Sequence, residues 1–342
     1  MNRSGTQRST DDSLAIRAAW LHFIGGLTQT DVATRLGVSN VKAHRLIARA
    51  QRIGAVRVSV VGEVAECAAL EAEIADRFGL GYCEVVPDLE EGDMSFRALG
   101  IAGARFLKRE IESRRHEVIG IGHGRTLSAL VSELFCENAR DVSFVSMLGG
   151  LTRNFAANPF DVMHRLAEKT GAPSYAMPVP FFANTAADRP VLLAQRGVRE
   201  VLALAERANL ILAGLGGVTP RANLVAAQVV DADEIMAVAD EGAVGEMLGH
   251  FFDREGRVVR TRLNDRALSP SLENLKGRRI VAVAGGEQKV EPIAAILASG
   301  ALGGLITVES TARRVLALLA GDERVSVPPA LRAAHQMAGA VS

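Results

Sequence analysis

Three short amphipathic segments near the amino end set the first pattern along the chain. Apolar residues at helical spacing predict one helix over residues 12–24, which Gly25 and Gly26 end. A second helix is predicted after Thr28, and Gly37 separates it from a third that covers residues 41–53. The side chains predicted to face inward are Leu14, Ile16, Ala19, Trp20, Phe23, Ile24, Val32, Ala33, Leu36, Leu46, Ala50 and Ile53.

The predicted third helix carries a basic face formed by Lys42, Arg45, Arg49 and Arg52. An apolar back and a basic front suit a helix-turn-helix whose last helix lies in the major groove of DNA. The residues predicted to contact DNA are Thr28, Gln29, Ser39, Asn40, Lys42, His44, Arg45 and Arg49. A solvated basic helix in a small bundle is the alternative interpretation. The alternating run AVRVSVVG, residues 55–62, predicts a wing strand after these helices.

The charge distribution favours DNA binding, although the formal net charge of the 342 residues is +0. Residues 1–57 hold nine basic and three acidic residues, so this segment is +6 and the remainder is −6. No apolar run is long enough for a membrane span, and the polar residues 1–11 predict a disordered tail rather than a secretory signal. Three scattered cysteines predict neither a disulfide framework nor a metal site, and we expect a cytoplasmic protein.

From Glu63 onward, strand-like runs alternate with helix-like segments. The predicted strands cover residues 82–86, 117–122, 141–148, 209–214, 279–284 and 305–308, and the predicted helices include residues 63–78 and 94–115. Repeated β–loop–α units predict an α/β fold with a doubly wound, mostly parallel sheet and helices on both faces. In such sheets ligands bind beyond the carboxyl ends of the strands.

Glycines follow four of the predicted strands and mark a candidate ligand site. They are Gly122, Gly124, Gly149, Gly150, Gly214, Gly216, Gly217, Gly285 and Gly286. Backbone N–H groups and helix starts after such glycines favour an anionic or polyhydroxylated small molecule. Within residues 120–130 (GIGHGRTLSAL), Arg125 and Thr126 are candidate phosphate contacts, but the glycine spacing matches neither a dinucleotide fingerprint nor a Walker loop. For His123 and Lys289, local loop packing and a solvated lysine are the respective alternatives.

Long blocks of the sequence resemble the SorC/DeoR-type sugar-binding transcriptional regulators. The resemblance covers residues 12–322, and its most specific blocks are GAVGEMLGHFFDREGRVV (242–259) and AVAGGEQKVEPIAAILASGALGGLITVESTARRVL (282–316). The family implies a winged helix-turn-helix joined to an effector domain that resembles sugar-phosphate isomerases and glucosamine-phosphate deaminases. Its members are typically oligomers, often tetramers, whose operator binding responds to a sugar, a polyol or a sugar phosphate. The stretch KAHRLIARA (42–50) is similar to regulators of erythritol-type polyol catabolism.

Carried over residue by residue, the resemblance assigns one effector loop around Gly124, a second at the Gly149–Gly150 pair, an acidic turn before a helix at residues 242–246 and a lysine at Lys289. The resulting effector-binding set is Gly122, His123, Gly124, Arg125, Thr126, Gly149, Gly150, Glu246 and Lys289. Two departures from the family pattern leave points open. Asn40, Ala43 and His44 replace the usual arginine and second serine, which leaves the operator sequence open. A His-Gly-Arg run at residue 123 replaces the threonines of some phosphosugar binders, so phosphorylation of the effector is also open.

These features predict a helix-turn-helix DNA-binding domain over residues 12–61 and a sugar-binding and oligomerisation domain over residues 62–342. We expect a repressor or an activator that is a dimer or tetramer, with operator DNA and a small carbohydrate as partners and with no catalytic residue, cofactor, metal or membrane partner. The alternative is a sugar-phosphate isomerase or deaminase with an added helical domain. Its candidate general bases are Asp240, Glu241, Glu246 and His250.

Overall fold

The computed structural model describes residues 12–56, 65–88, 94–136, 139–150 and 162–321. The chain divides into two compact units between Gly62 and Glu63. The predicted tail and most of the predicted wing strand lie outside the described residues. Within these ranges, no helix has the length and apolar character needed to cross a membrane.

The described residues of the first unit, 12–56, form three helices. They are α1 (12–24, whose last turn, Trp20–Ile24, is π-helical), α2 (Gln29–Leu36) and α3 (Asn40–Arg52). Their common core consists of Ala15, Ala18, Ala19, Leu21, Val32, Ala33, Ala43, Leu46, Ile47 and Ala50. Most of these side chains are small, so the helices pack closely around a core of little bulk.

The predicted inward face of α1 is wrong for its bulkiest side chains. Ile16, Trp20, Phe23 and Ile24 are 49%, 59%, 38% and 73% exposed, respectively. The alanines of α1 face α2 and α3 instead, and the π-helical turn, closed by the N–H of Gly25 on the carbonyl of Trp20, changes the direction of the last side chains. Ile53, also predicted to be buried, is 47% exposed at the end of α3.

Local capping fixes the turn between α2 and α3. The Thr28 hydroxyl accepts the N–H of Asp31, and the Asp31 carboxylate accepts the N–H of Thr28, which forms a capping box at the start of α2. Gly37 ends α2 with φ of +64°, a left-handed conformation that favours glycine. The Ser39 hydroxyl then accepts the N–H of Lys42 at 3.3 Å and begins α3.

The second unit contains eleven strands and ten α-helices within the described ranges. The strands are β1 (Tyr82–Val86), β2 (Val118–Ile121), β3 (Ser143–Gly150), β4 (Ser174–Pro180), β5 (Leu210–Ala213), β6 (Gly216–Gly217), β7 (Gly245–Met247), β8 (His250–Phe252), β9 (Val258–Val259), β10 (Arg279–Val283) and β11 (Gly304–Val308). The helices are α4 (Ala65–Phe78), α5 (Met94–Glu112), α6 (Arg125–Glu133), α7 (Val162–Thr170), α8 (Asp188–Ala194), α9 (Arg196–Arg207), α10 (Asn223–Ala226), α11 (Ala232–Asp240), α12 (Val290–Ala298) and α13 (Glu309–Gly321).

Seven strands form a parallel sheet in the order β1-β11-β10-β5-β2-β3-β4. Side chains of the buried strands alternate between two apolar clusters, one on each face of the sheet. In β5, Leu210 and Leu212 belong to one cluster, and Ile211 and Ala213 belong to the other. Burial of one such leucine or isoleucine contributes about 1.5–3 kcal/mol. The sheet therefore has helices packed on both faces, which confirms the predicted mostly parallel α/β fold.

A second sheet, β6-β7-β8-β9, is antiparallel and was not predicted. Its strands have only two or three residues, too few to show an alternating pattern. Strand β3 extends two residues beyond its predicted end, so Gly149 and Gly150 lie inside a strand rather than in a loop. Residues 245–247 form β7, and the predicted acidic turn before a helix is instead part of the β7–β8 hairpin.

Candidate functional site

Helix α3 of the first unit has a buried face and an exposed basic face. Ala43, Leu46, Ile47 and Ala50 are buried. Lys42, His44, Arg45 and Arg52 are exposed. Arg45 and Arg52 lie on the same side of α3, because α-helical positions seven residues apart nearly coincide. This side is opposite the buried face. The exposed face therefore presents cations in the manner that a DNA groove requires.

Arg49 differs from the other cations of α3. Its Nε lies 2.7 Å from Oδ1 of Asp12, and both side chains are partly buried. The ion pair joins α3 to the start of α1, so Arg49 has a structural partner within the unit. Among the other residues predicted to contact DNA, Thr28 and Ser39 are helix caps, while Gln29 and Asn40 begin α2 and α3 and are exposed.

A cleft of the second unit opens at the carboxyl ends of β2, β5 and β10, which are neighbours at the centre of the sheet. Its polar residues come from the loops after these strands, from the starts of α6 and α10, and from β7. They include His123, Gly124, Arg125, Thr126, Glu246 and Lys289. The cleft offers about 70 Å³ of accessible space, so it can take only a small molecule.

The loop after β2 brings backbone and cation together at the start of α6. Gly124 precedes the helix with φ of +125°, a conformation that strains other residues. Arg125 is the first residue of α6, and its guanidinium carbon lies 4.9 Å from the centre of the Phe96 ring. This stacking holds the cation at the edge of the cleft, beside the N–H groups of the first helical turn.

Glu246 is the buried carboxylate of the cleft. Its Oε1 accepts the N–H of Gly249 at 2.7 Å. Burial raises the pKa of Glu246 to about 7, while the Gly249 hydrogen bond and the charge of Lys289 act in the opposite direction. A Cβ atom on Gly216 would lie 2.5 Å from Oε2 of Glu246, so glycine at this position makes room for the carboxylate.

Lys289 approaches the same cleft from the loop after β10. Gly286, with φ of +108°, precedes a short 3₁₀ helix of one turn, Glu287–Lys289, that leads into α12. Burial lowers the pKa of Lys289; the carboxylate of Glu246 raises it, and Arg125 lowers it further. One carboxylate and two cations therefore act on one another across a single small space.

Three of the predicted effector residues do not line this cleft. The N–H of Gly122 donates to the carbonyl of Leu212 at 2.8 Å, which joins β2 to β5. A Cβ atom on Gly149 would lie 2.0 Å from the carbonyl oxygen of Pro180, so this glycine permits close contact of β3 and β4. Gly150 lines a neighbouring cavity together with Phe182 and Arg266.

Similarity to known proteins agrees with this arrangement. A family model described as "Putative sugar-binding domain" matches residues 62–317. The chain belongs to this family. It is 57% identical over 306 residues to the erythritol catabolism regulatory protein EryD of Brucella abortus, covering 90% of this chain and 97% of that protein. It is 33% identical over 315 residues to the transcriptional regulator LsrR of an Enterobacter species, covering 90% and 94%.

The fold also matches the full-length sorbitol operon regulator SorC of Klebsiella pneumoniae. The TM-score is 0.70 at 23% identity, over 89% of this chain and 98% of that chain. A domain of a possible sugar-binding transcriptional regulator of Arthrobacter aurescens matches with a TM-score of 0.65 at 25% identity, over 76% of this chain and all of that domain. This member of the sugar-binding family is a transcriptional regulator of the SorC/DeoR type.

Family membership supports the regulator over the enzyme alternative. Asp240 and Glu241 are at the end of α11 and do not line the cleft. His250 does not line it either, and its Nε2 lies 3.0 Å from the carbonyl oxygen of Pro270. Of the four candidate general bases, Glu246 alone lines the cleft. Within the described ranges, no three side chains of the metal-binding types cluster as a metal site would require.

The apolar walls of the cleft were not predicted from the sequence. They are formed by Phe96, Leu148, Phe181, Leu215, Leu224 and Leu248. None of them has a signal in the sequence that separates a cleft wall from the core. The strand-end glycines Gly214, Gly216 and Gly217 carried a usable signal, but the predicted effector set omitted them although they line the cleft.

Proposed function

We propose that this regulator binds operator DNA through α3 and that a small polyol or sugar phosphate in the cleft controls the binding. The observation that carries the proposal is the convergence of Arg125, Glu246 and Lys289 at three central strand ends. A cleft of this size accepts a small molecule only, so DNA must bind elsewhere. The exposed cations of α3 supply the complementary surface in the first unit.

The DNA-binding part of the proposal assigns different tasks to the cations of α3. Arg45 is available for a base edge or a phosphate because it is exposed opposite the buried face. Lys42 and His44 flank it near the amino end of the helix, where a recognition helix contacts bases. Arg49 instead holds α3 to Asp12. The proposal includes the winged form of this domain over residues 12–61.

The effector part follows from the chemistry of the cleft. Glu246 can accept hydroxyl groups of a polyol, and the apolar walls can cover its carbon chain. Arg125, Lys289 and the start of α6 favour an added anionic group. Because the relative from Brucella abortus is named for erythritol catabolism, erythritol and its phosphate are the first probes. We also propose that this domain is related in fold to sugar-phosphate isomerases and deaminases.

We further propose that the working form is a homo-oligomer. A single recognition helix contacts few base pairs, and a dimer places two such helices about 34–36 Å apart. The exposed side chains Ile16, Trp20 and Ile24 form an apolar stripe on α1 at spacings of four residues. Such a stripe, exposed in one copy, supports self-association of the first unit.

The experiment that tests the proposal begins with selection of an operator from a random duplex pool by the full chain. Anisotropy of the labelled operator is then measured with and without erythritol or erythritol phosphate, and thermal shift reports binding of each probe. We expect operator binding that weakens steeply with salt and changes when one probe binds. Selection of no duplex, or the absence of any response to polyols and sugar phosphates, would contradict the proposal.

One variant then separates neutral from phosphorylated effectors. Arg125→Ala is expected to weaken a phosphorylated probe about 10- to 100-fold, because it removes a charged hydrogen-bond partner, and to affect erythritol far less. Arg97→Ala is the matched control, since Arg97 is exposed on α5 beside Phe96 and pairs with Glu133. Equal, small effects of Arg125→Ala on both probes would remove Arg125 from the effector site.

A further inference from the structure

Helix α13 is joined to the loop that carries Lys289 by two side-chain contacts. The N–H of Gly286 donates to the hydroxyl oxygen of Thr311 at 2.8 Å, and Thr311 is 1% exposed. One turn later, Nη1 of Arg314 lies 2.6 Å from Oε1 of Glu287. The first turns of α13 are therefore fixed to the same short segment that presents Lys289 to the cleft.

The same helix packs along α4. The Sγ of Cys67 lies 4.0 Å from a carboxylate oxygen of Glu309 at the start of α13. Nη2 of Arg77 donates to the carbonyl of Leu319 at 2.9 Å near its end. From the first contact to the second, the chain advances by the same number of residues in the same direction along both helices. Helices α4 and α13 therefore run parallel. The buried side chains Leu70, Ile74, Ala312, Val315 and Leu316 of these helices belong to one apolar cluster.

Helix α4 is the element through which the second unit continues from the DNA-binding unit. It begins at Ala65, just beyond the division between the two units. Among the described elements it packs most extensively against β1 and α13. Strand β1 is the edge of the sheet, and β11 separates it from the strands whose ends form the cleft. Helix α13 therefore contacts both α4 and the cleft loop.

We propose that α13 transmits the state of the cleft to the DNA-binding unit, with Thr311 and Arg314 as positioning residues. This inference rests on the proposed function. An effector that contacts Lys289 moves its short turn, and the two contacts pass that movement to the first turns of α13. Because α13 and α4 are closely packed, a shift of one rigid helix displaces the other rather than being absorbed between them.

The other helix after the cleft loop, α12, packs against both α13 and the small sheet. Helix α12 begins directly after Lys289, but its Glu291 pairs with Arg254 in the turn between β8 and β9, with Nε and Oε1 2.6 Å apart. Its packing partners include β7 and β8 of the small sheet. A movement of the loop along α12 therefore reaches the small sheet and also α13, so α13 lies on both routes from the cleft loop.

The test compares coupling in full-length variants. The measured quantity is the ratio of operator affinities without and with saturating erythritol or erythritol phosphate, whichever binds. Thr311→Val and Arg314→Ala are each expected to shrink the ratio at least about threefold toward one. Probe affinity and probe-free operator affinity stay within about twofold of wild type, since neither residue lines the cleft or lies in α3.

Two controls separate transmission from simple loosening of the structure. Ser310→Ala removes a hydroxyl from the same helical turn, but Ser310 bonds Asp88 rather than the cleft loop. Arg254→Ala removes an ion pair of the same length from the α12 route. Both controls are expected to keep the wild-type ratio. An equal loss in Thr311→Val and Ser310→Ala, or no loss in Thr311→Val and Arg314→Ala, would overturn the proposal.

Amide hydrogen exchange decides the inference independently of any effector. In the absence of a probe, Thr311→Val is expected to speed exchange in α4, residues 65–78, more than Ser310→Ala does. Unchanged exchange in α4 for both Thr311→Val and Arg314→Ala would contradict the link between the helices. If neither probe affects the wild-type protein, the proposed effector fails on that result alone, and the exchange measurement still decides for or against the role of α13.

Discussion

Replacing Glu246 by Gln changes the dependence of stability on pH in a direction that the cleft determines. Burial raises the pKa of this carboxyl from 4.5 to about 7 in the folded protein. Between these two values the folded chain holds a proton that the unfolded chain releases. The contribution of Glu246 to the free energy of unfolding is therefore fully present below pH 4.5 and is lost as pH rises to about 7.

The magnitude follows from the difference between the two pKa values. At about 1.4 kcal/mol per pH unit, the rise from 4.5 to about 7 corresponds to about 3 kcal/mol of lost stability. Such an amount is a large fraction of the roughly 5–15 kcal/mol by which a typical domain is stable. The Glu246→Gln substitution keeps the size of the side chain and removes its ionisation, so the difference between the two proteins reports the carboxyl group.

The assay is urea unfolding at pH 5 and pH 8, followed by circular dichroism. Tryptophan fluorescence would report on the wrong unit, because the single tryptophan is Trp20 in α1. From pH 5 to pH 8 the wild-type chain is expected to lose about 2–3 kcal/mol more than Glu246→Gln.

Two other buried groups near Glu246 have shifted pKa values, His250 and Lys289. Burial lowers the pKa of His250, so its contribution to stability rises with pH, opposite in sign to that of Glu246. Since both proteins contain His250, its contribution cancels in the difference. Lys289 adds to the difference in the same direction, because loss of the Glu246 charge lowers its pKa further and lets the variant gain stability as pH rises. Glu241→Gln, at an exposed carboxylate five residues earlier, is expected to follow the wild-type profile. Parallel profiles for the wild type and Glu246→Gln would refute the reasoning.

Three further variants test the two surfaces and the oligomer. Arg45→Ala is expected to weaken operator binding in anisotropy about 10- to 100-fold through loss of a groove contact, and unchanged affinity would contradict its assignment. Gly216→Ala displaces the Glu246 carboxylate and is expected to weaken polyol binding in calorimetry. Gly197→Ala is the control, because its new methyl group meets open space and polyol binding should stay unchanged. Equal polyol binding by both variants would refute the close contact of Gly216 with Glu246. Trp20→Ser is expected to weaken self-association in analytical ultracentrifugation, and an unchanged sedimentation coefficient would exclude a role for the α1 stripe.

The sheet could be predicted from the sequence because its central strands are buried on both faces. Such strands form continuous apolar runs, and β5 and β10 are also bounded by glycines at their carboxyl ends. Strand β4 was missed, since it lies at the edge of the sheet, is partly exposed and contains Pro178 and Pro180. Strand β1 lies at the other edge and is also partly exposed, yet it was predicted, so the two prolines set β4 apart.

The candidate cleft was predicted in its charged residues but not in its walls. Arg125 and Lys289 follow glycines at strand ends, a local pattern that the sequence displays. Phe181 reaches the cleft only through the fold, because it follows the edge strand β4 and lies far along the chain from the glycine-rich loops. The outward direction of Trp20 was likewise hidden, since apolar residues occupy more than one face of α1 and spacing alone does not choose between them.

The contacts between the cleft loop and α13 also bound the strength of the proposed switch. A buried hydrogen bond such as that of Thr311 contributes about 0.5–1.5 kcal/mol, and an exposed ion pair such as Arg314–Glu287 about 1 kcal/mol or less. Together they can transmit about 1–2 kcal/mol per chain, which corresponds to about a 5- to 30-fold change in operator affinity. Reversing a 99:1 equilibrium requires about 5.5 kcal/mol. A sharp response therefore needs several chains acting on one operator complex, so the modest coupling through α13 is itself a physical reason to expect an oligomer.

By reciprocity, operator DNA must change effector affinity by the same factor as effector changes operator affinity.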